Sequence, residues 1–483
     1  MKFKTIYINY FVNKIINSIW ANFMPIKNNM KELLPTKIIR KYNKTRNTNK
    51  VKLLCHAPFT NIYFGYDGKM GVCCYNRTHI IGEYPFEKIY QAWNGDSVTD
   101  LRNKIKNYDL SSGCYLCQVQ LIEGAFHTVL AKNYDGFSPN HGYPRNMEFE
   151  LSNQCNLKCI MCSEENSSSI AKEKNGHQVN QNPYNEDFIE ELKEFIPHLK
   201  SAKFLGGEPF LIPIYYKIWE VIIELNPNCE IIVQTNGTIL NEKIKKLLQK
   251  GNFSLSISID SVHKKTYESI RIGANFEEVY SNLLFFIEFC KKNNRFIGIA
   301  SCFMQQNWKD IPDLIRFVNT YQIPITFNRV WYPPQCSIWE SSYELTSQIL
   351  NFFKNQTFST KTIIEQKNYN AFNDLIHITT QWNNQEKIKF DNNYNAKKTS
   401  VPELEIMVKN HILNSNSLNH FTKEQIDIII SKFNNGLDDY NNHPNYRKLL
   451  LKIIEIPPEI MQRELLNNSD ERIKQQIREI LEK

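Results

Sequence analysis

The chain lacks a long uninterrupted apolar run and a strong charge of either sign, and each absence removes a class of function. Residues 3–24 are apolar and aromatic but are broken by Lys4, Asn9, Asn13, Lys14 and Asn17, which makes the stretch too polar for a transmembrane span. It also lacks the clean apolar core and small-residue cleavage site of a secretory signal. Two readings stay open, a helix lying on a membrane surface and a helix docked on the protein, the second being favoured. With 58 basic against 50 acidic residues the net charge is only +8. No basic stripe with interleaved aromatics stands out, so nucleic acid is not an expected partner. Asn is abundant, often in pairs such as Asn392-Asn393 and Asn441-Asn442, a compositional bias rather than a functional feature.

What the chain does have is cysteine. Of its 12 cysteines, eight fall into two groups with metal-like spacing, which fits a reducing cytoplasm rather than a disulfide scaffold. Cys155, Cys159 and Cys162 form a C-x₃-C-x₂-C pattern just after the alternating stretch Met147 to Leu151. Three thiolates on one loop can hold three irons of a four-iron cube. The fourth iron then keeps an open position for a substrate or cosubstrate. Spacing alone also allows a zinc knuckle.

Downstream, Gly206-Gly207-Glu208-Pro209 closes a short apolar strand, Ile231 to Gly237 reads as a buried strand ending in a turn, and Ser254 to Ser261 alternates polar with aliphatic residues. With the cysteine triad, these segments resemble the radical S-adenosylmethionine (radical SAM) superfamily. The resemblance covers roughly residues 146–331. It implies a four-iron–four-sulfur (4Fe-4S) cluster on Cys155, Cys159 and Cys162, with S-adenosylmethionine on its open iron. Gly206, Gly207, Glu208 and Pro209 would form the turn that takes the methionine amino group, since glycines let backbone approach a ligand and a carboxylate accepts from an ammonium. Ser258 and Asp260, with Asn236 and Arg271, would face the ribose and carboxylate, and Met161 stands where relatives often place an aromatic on adenine. Plain alternation on a half-buried strand is the other reading of the serines.

Strands are expected at about 146–153, 201–206, 230–235, 254–260, 296–304 and 325–331. Amphipathic helices such as 188–196 and 279–287 lie between them. That alternation predicts parallel β/α units, hence an α/β fold with a partial (β/α)₆ radical SAM barrel whose site lies at the C-terminal ends of the strands.

The second cysteine group, Cys55, Cys73, Cys74, Cys114 and Cys117, precedes the barrel and surrounds an Asp67-Gly68 hairpin turn. It resembles the twitch or SPASM-type auxiliary iron–sulfur module of many radical SAM enzymes. The resemblance implies Cys55, Cys73, Cys114 and Cys117 as ligands of a second cluster, with Cys74 as the alternative to Cys73. Zinc is the competing occupant. A fully ligated cluster would transfer electrons or support structure; loss of one thiolate would leave an iron open to substrate.

The expected organisation is an N-terminal helix and linker (1–50, its residues 35–50 being the linker), the Cys-rich module (51–124), the barrel (140–335) and a mainly helical C-terminal region (340–483). In the last, 343–354, 404–413, 422–433, 444–455 and the charged stretch 470–483 have helical periodicity. This region is a candidate cover for the substrate opening. Among the remaining cysteines, Cys302 and Cys336 are weak candidates for hydrogen-atom donors, against ordinary buried thiols. The family resemblance implies an enzyme that abstracts hydrogen from a C–H bond of a peptide or protein, or of a sugar or small metabolite, with an electron donor such as flavodoxin or ferredoxin. No peptide-binding winged helix is evident at the N-terminus, which weakens a peptide-maturase reading. The alternative is a non-catalytic iron–sulfur or zinc protein on the same scaffold.

Overall fold

The computed structural model describes residues 34–46, 53–122, 124–139, 142–176, 183–396, 399–413, 422–455 and 458–481; the stretch 3–24 lies outside them. A nine-stranded sheet runs in the order β3-β2-β1-β4-β5-β6-β7-β8-β9. The first three strands are β1 (Asn61–Gly65), β2 (Lys69–Gly71) and β3 (Gly82–Glu83). The barrel strands are β4 (Asn146–Glu150), β5 (Ser201–Phe204), β6 (Glu230–Thr235), β7 (Phe253–Ser258), β8 (Ile297–Phe303) and β9 (Ile325–Arg329). From β4 to β9 every neighbouring pair is parallel, as the alternation of strands and helices predicts.

The Cys-rich segment joins this sheet. β1 pairs with β2 antiparallel through a turn in which Gly68 has φ 87°, a conformation glycine adopts without strain. Its other edge pairs parallel with β4, Ile62 opposite Met147 and Phe64 opposite Phe149. The described residues of Lys31–Ser341 and Leu345–Gln381 accordingly form one compact unit.

Successive strand side chains alternate between faces. The outer face is apolar: Phe64 stacks on Phe149 with ring centroids 5.3 Å apart, Phe149 on Phe204 at 4.9 Å, and Phe188 meets the first two rings edge-on. Phe188 comes from the helix Glu186–Phe195, whose N-cap Asn185 accepts from the Phe188 amide. The inner face carries Tyr63, Glu148 and Lys203 in one register row, then Glu150, Gln234, Ser256, Ser258, Ala300, Cys302 and Asn328.

Two segments differ from expectation. Residues 36–44, read as linker, form a helix (Thr36–Lys44). It is anchored by the wholly buried Tyr42 and by Arg46, whose Nε donates to Asp135 at 2.8 Å and Nη1 to the Leu53 carbonyl at 2.7 Å. Long-range contacts override its linker-like composition. The second is the helix Ile363–Ala396, which no apolar stripe announced. Its buried Asn368 accepts from the Ile325 amide at 2.9 Å and donates to the Ile323 carbonyl at 3.0 Å, covering the start of edge strand β9.

The second unit consists mainly of Trp382–Lys483. Its helices Val401–Leu413, Lys423–Asp438, Tyr446–Glu455, Pro458–Asn467 and Asp470–Leu481 enclose a core that includes Leu404, Val408, Ile429, Leu449 and Leu450.

Phe149→Ala removes the ring at the centre of the outer aromatic ladder. Urea unfolding is expected to show a loss of about 3–5 kcal/mol; a loss below about 1 kcal/mol would contradict the ladder's place in the core.

Candidate functional site

The chain leaves β4 directly into the loop that carries Cys155, Cys159 and Cys162, all half-buried. This loop is held by backbone bonds to the segment after the helix Lys264–Ile270: Lys158 N–H to the Ile272 carbonyl and Ile160 N–H to the Ile270 carbonyl, each 2.9 Å. Ser168 Oγ accepts from the Cys155 amide at 3.0 Å, and Ser169 Oγ donates to its carbonyl at 2.7 Å. The same pairing carries Arg271 inward. Its Nη1 lies 4.0 Å from Cys159 Sγ, and Asn236 Nδ2 lies 4.0 Å from Cys155 Sγ. The Leu157 amide also points at Cys155 Sγ, at 3.5 Å.

Burial raises the pKa of all three thiols, that of Cys162 to about 12, and Arg271 pulls Cys159 back only in part. Such thiols ionise when a metal takes the proton's place. Three sulfurs on one loop, met by N–H donors and a guanidinium, suit a thiolate-bound cluster whose sulfurs accept hydrogen bonds.

Gly206 and Gly207 have φ of 80° and 37°, and a Cβ on them would lie 2.6 Å from the Ser152 carbonyl and 2.1 Å from the Gln154 carbonyl. Only glycine lets the end of β5 run against the cysteine loop, where the Glu208 amide donates to the Gln154 carbonyl at 2.7 Å. Pro209 is buried behind it.

The Glu208 side chain is held within the strand ends. Fully buried, it accepts from Thr235 Oγ1 and the Asn236 amide at 2.7 Å each. Burial raises its pKa to about 7 against those hydrogen bonds. The accessible part of the motif is the backbone of Gly206 and Gly207.

Asp260 is held in the same way. Its Oδ2 lies 2.8 Å from Arg271 Nη2, its Oδ1 accepts from the Cys302 amide at 2.7 Å, and it is fully buried. It holds Arg271 in place. Ser258 stays half-buried on the inner face. Asn236 Nδ2 also bonds Asn156 Oδ1 at 3.0 Å, so it braces the cysteine loop. Met161 packs with Ile270, Met304, Val330 and Cys336. Of the two other thiols, Cys302 reaches the inner face, whereas Cys336 is wholly buried with its Sγ 3.7 Å from the Ile160 carbonyl.

The second cysteine group encloses a cavity. Cys55, Cys73, Cys114 and Cys117 all line it, with apolar walls from Leu54, Pro58, Val72, Ile105 and Leu130, around about 450 Å³ including space open to solvent. Burial raises every one of these thiols, Cys114 to about 11 and Cys55 to about 12. Asn76 Nδ2 points at Cys114 Sγ from 3.5 Å. Cys74 does not line this cavity; its amide donates to Glu148 Oε2 at 2.9 Å, and Lys203 lies on its side. Among the described residues, no three His, Cys, Asp or Glu side chains converge closely enough to hold one metal ion. A cluster bound by one thiolate per iron asks for sulfurs set further apart.

Sequence reasoning missed Thr235, which holds Glu208, and the inward-facing Glu148, Glu150 and Lys203. Their signal was there: Glu148 and Glu150 alternate with Met147 and Phe149, the pattern of a strand with one polar face.

Residues 149–318 match the family model of the Radical SAM superfamily, and residues 55–118 that of SPASM, an iron-sulfur cluster-binding domain. The chain is 26% identical over 184 residues to the GTP 3',8-cyclase of Clostridium perfringens, covering 38% of this chain and 54% of that protein. It is 30% identical over 134 residues to the AdoMet-dependent heme synthase of Methanosarcina barkeri, covering 26% and 34%. The alignment thus spans about half the length of the cyclase relative. Among solved structures, anSMEcpe with bound AdoMet aligns at 20% identity and TM-score 0.34 over 43% of this chain and 57% of that one. Streptococcus suis SuiB bound to S-adenosylmethionine aligns at 14% and 0.34 over 55% and 61%. The chain carries a radical SAM domain preceded by a SPASM-type domain, which imply a 4Fe-4S cluster with S-adenosylmethionine and at least one further iron–sulfur cluster. No described helix is long and apolar enough to cross a membrane.

The cavity separates the adjacent cysteines experimentally. Anaerobically reconstituted Cys73→Ala is expected to lose about four irons per chain and Cys74→Ala none, by iron and sulfide analysis. Retention in the first and loss in the second would make Cys74 the ligand.

Proposed function

We propose that this chain is a radical SAM enzyme that abstracts hydrogen from an unreactive C–H bond of a peptide or protein, or of a sugar or small metabolite, leading to dehydrogenation, epimerisation or cross-linking. The observation that carries this reading is the meeting of the three-cysteine loop with the Gly206–Gly207 backbone and the Asp260–Arg271 pair at the C-terminal ends of β4, β5 and β7. When bound, the reduced cluster supplies the electron that cleaves S-adenosylmethionine to a 5′-deoxyadenosyl radical and methionine.

The chain's own residues do the rest. Cys155, Cys159 and Cys162 are the proposed ligands. Gly206 and Gly207 bring backbone to the methionine amino group, and Glu208 holds that turn against Thr235 and Asn236. Asp260 orients Arg271, whose guanidinium reaches toward Cys159 and would hold the carboxylate of S-adenosylmethionine. Ser258 faces the chamber from the β7 terminus, and Met161 offers an adaptable apolar contact for adenine. Of the two thiols considered as hydrogen donors, only Cys302 lies on the chamber's face. Cys55, Cys73, Cys114 and Cys117 are the proposed ligands of the auxiliary cluster, an electron relay or structural support in an apolar pocket. A flavodoxin or ferredoxin in a reducing cytoplasm would deliver the electron.

Anaerobic protein is expected to hold about eight irons per chain as two cubanes and to form 5′-deoxyadenosine when reduced. Converting Cys155, Cys159 and Cys162 together to Ala is expected to leave about four irons and no nucleoside. Zinc in place of iron, with no cleavage by the unmodified chain, would favour the non-catalytic scaffold.

A further inference from the structure

Lys203, on the inner face of the barrel, makes no direct hydrogen bond or ion pair with any described residue. Lys203 projects from β5 in the row of Tyr63 and Glu148, flanked on β6 by Ile232. Every other charge nearby has its partners. Glu148 accepts from Asn61 Nδ2 at 3.3 Å, the Cys74 amide at 2.9 Å and Tyr134 OH at 3.0 Å. Glu150 accepts from Tyr63 OH at 2.9 Å and pairs with Arg77 at 2.7 Å. Lys203 makes no hydrogen bond or ion pair with any described residue, although solvent reaches it and its immediate strand neighbours Ala202 and Phe204 are buried.

Burial disfavours its charge, but Cys74, Glu148 and Glu150 outweigh that penalty and keep its pKa above the ordinary lysine value. It is therefore an ammonium at neutral pH. On a middle strand it has no route to the outer surface along which a lysine head usually escapes to water. Its ammonium is open to the solvent of the chamber, and Glu148 and Glu150 take their hydrogen bonds from other groups, so an anion entering the chamber meets a cation with no direct acceptor. The other inner-face groups between it and the triad side of the chamber, Gln234, Ser256 and Ser258, are neutral.

We propose that Lys203 is an anion subsite of the barrel chamber, taking a carboxylate or phosphate group of the substrate. This deepens the enzyme reading above and rests on it: the substrate is an acidic peptide, a phosphorylated sugar or nucleotide, or another anionic metabolite, and a wholly neutral sugar is excluded. Its Cα lies three residues before Gly206, about 10 Å along the strand, so the anion is anchored below the proposed S-adenosylmethionine turn.

The test is calorimetric titration of the reconstituted full chain with inorganic phosphate and, separately, with glutarate. Wild type is expected to bind at least one of them, Lys203→Met to bind it at least tenfold more weakly, and Lys203→Arg to retain it. Preference for phosphate or glutarate separates the two sources of the anion. Equal binding by wild type and Lys203→Met, or no binding of either anion by wild type, would overturn the proposal. Thermal unfolding supplies the second readout. Because Glu148 and Glu150 hold the Lys203 charge in the fold, removing it costs stability at neutral pH. Lys203→Met is expected to show a lower Tm while remaining folded at the titration temperature, and Lys203→Arg, which keeps the charge, to retain both Tm and anion binding; failure of folded Lys203→Arg to bind would also overturn the subsite. Because anion binding needs no turnover, 5′-deoxyadenosine formation by the wild type tests the enzyme reading separately.

Discussion

Burial of thiols is the constraint on which the rest of this structure depends. Cys155, Cys159, Cys162 and the four cysteines of the preceding cavity all have their pKa pushed up by loss of water. Thiols in such places stay protonated unless a metal cation reverses the preference. The two sets answer the constraint differently. The triad is surrounded by polar groups, with Arg271 and Asn236 aimed at its sulfurs, and it lies where several strand ends open. The other set sits among Leu, Val, Ile and Pro with Asn76 as its polar neighbour. A polar, open surround suits a cluster that must also bind a ligand. An apolar one suits a cluster that only holds or passes an electron, since surroundings set potential.

The two sets are joined by one strand. Pairing β4 with β1 on one side and β5 on the other makes a single sheet of the Cys-rich segment and the barrel. The pleat of β4 then sends Met147 and Phe149 outward into the aromatic ladder and Glu148 and Glu150 inward. Glu148 in turn receives the Cys74 amide. In the turn that follows β2, Cys73 lines the cavity and Cys74 does not, its amide being taken up by Glu148. Because side chains alternate with a period of two, a slip of one residue in the pairing of β4 would put Glu148 and Glu150 into the apolar layer.

That geometry marks what was legible in the sequence. The barrel strands, the triad and the auxiliary cysteine set could be read because they depend on local patterns: alternation, spacing and turn glycines. Glu208 and Asp260 could be located but not understood, since their partners Thr235 and Arg271 are set by the meeting of different strand ends. The choice between Cys73 and Cys74 has no local signal at all; it is made by which side of the β2 terminus meets Glu148. The helix Ile363–Ala396 was missed because its Asn-rich sequence carries a weak apolar stripe, and Asn368 is buried only through the edge of β9. The helix Thr36–Lys44 was missed for the same reason, its anchor Asp135 being distant in sequence.

The inner charges follow one logic. Arg271 is set against Asp260 and Arg77 against Glu150, while Glu208, given only neutral donors, has its pKa lifted to about 7. Each arginine thus has a carboxylate to fix the direction of its planar, permanently charged group. Lysine is different: a compact charge on a flexible stem needs no fixed partner and can meet a mobile one. A chamber whose arginines are committed and whose lysine is not has placed its adaptable contact on β5, beneath the loop where the chemistry is proposed to begin. Positioning and recognition are then carried by different residues of the same strand, Gly206 and Gly207 just past its end and Lys203 within it.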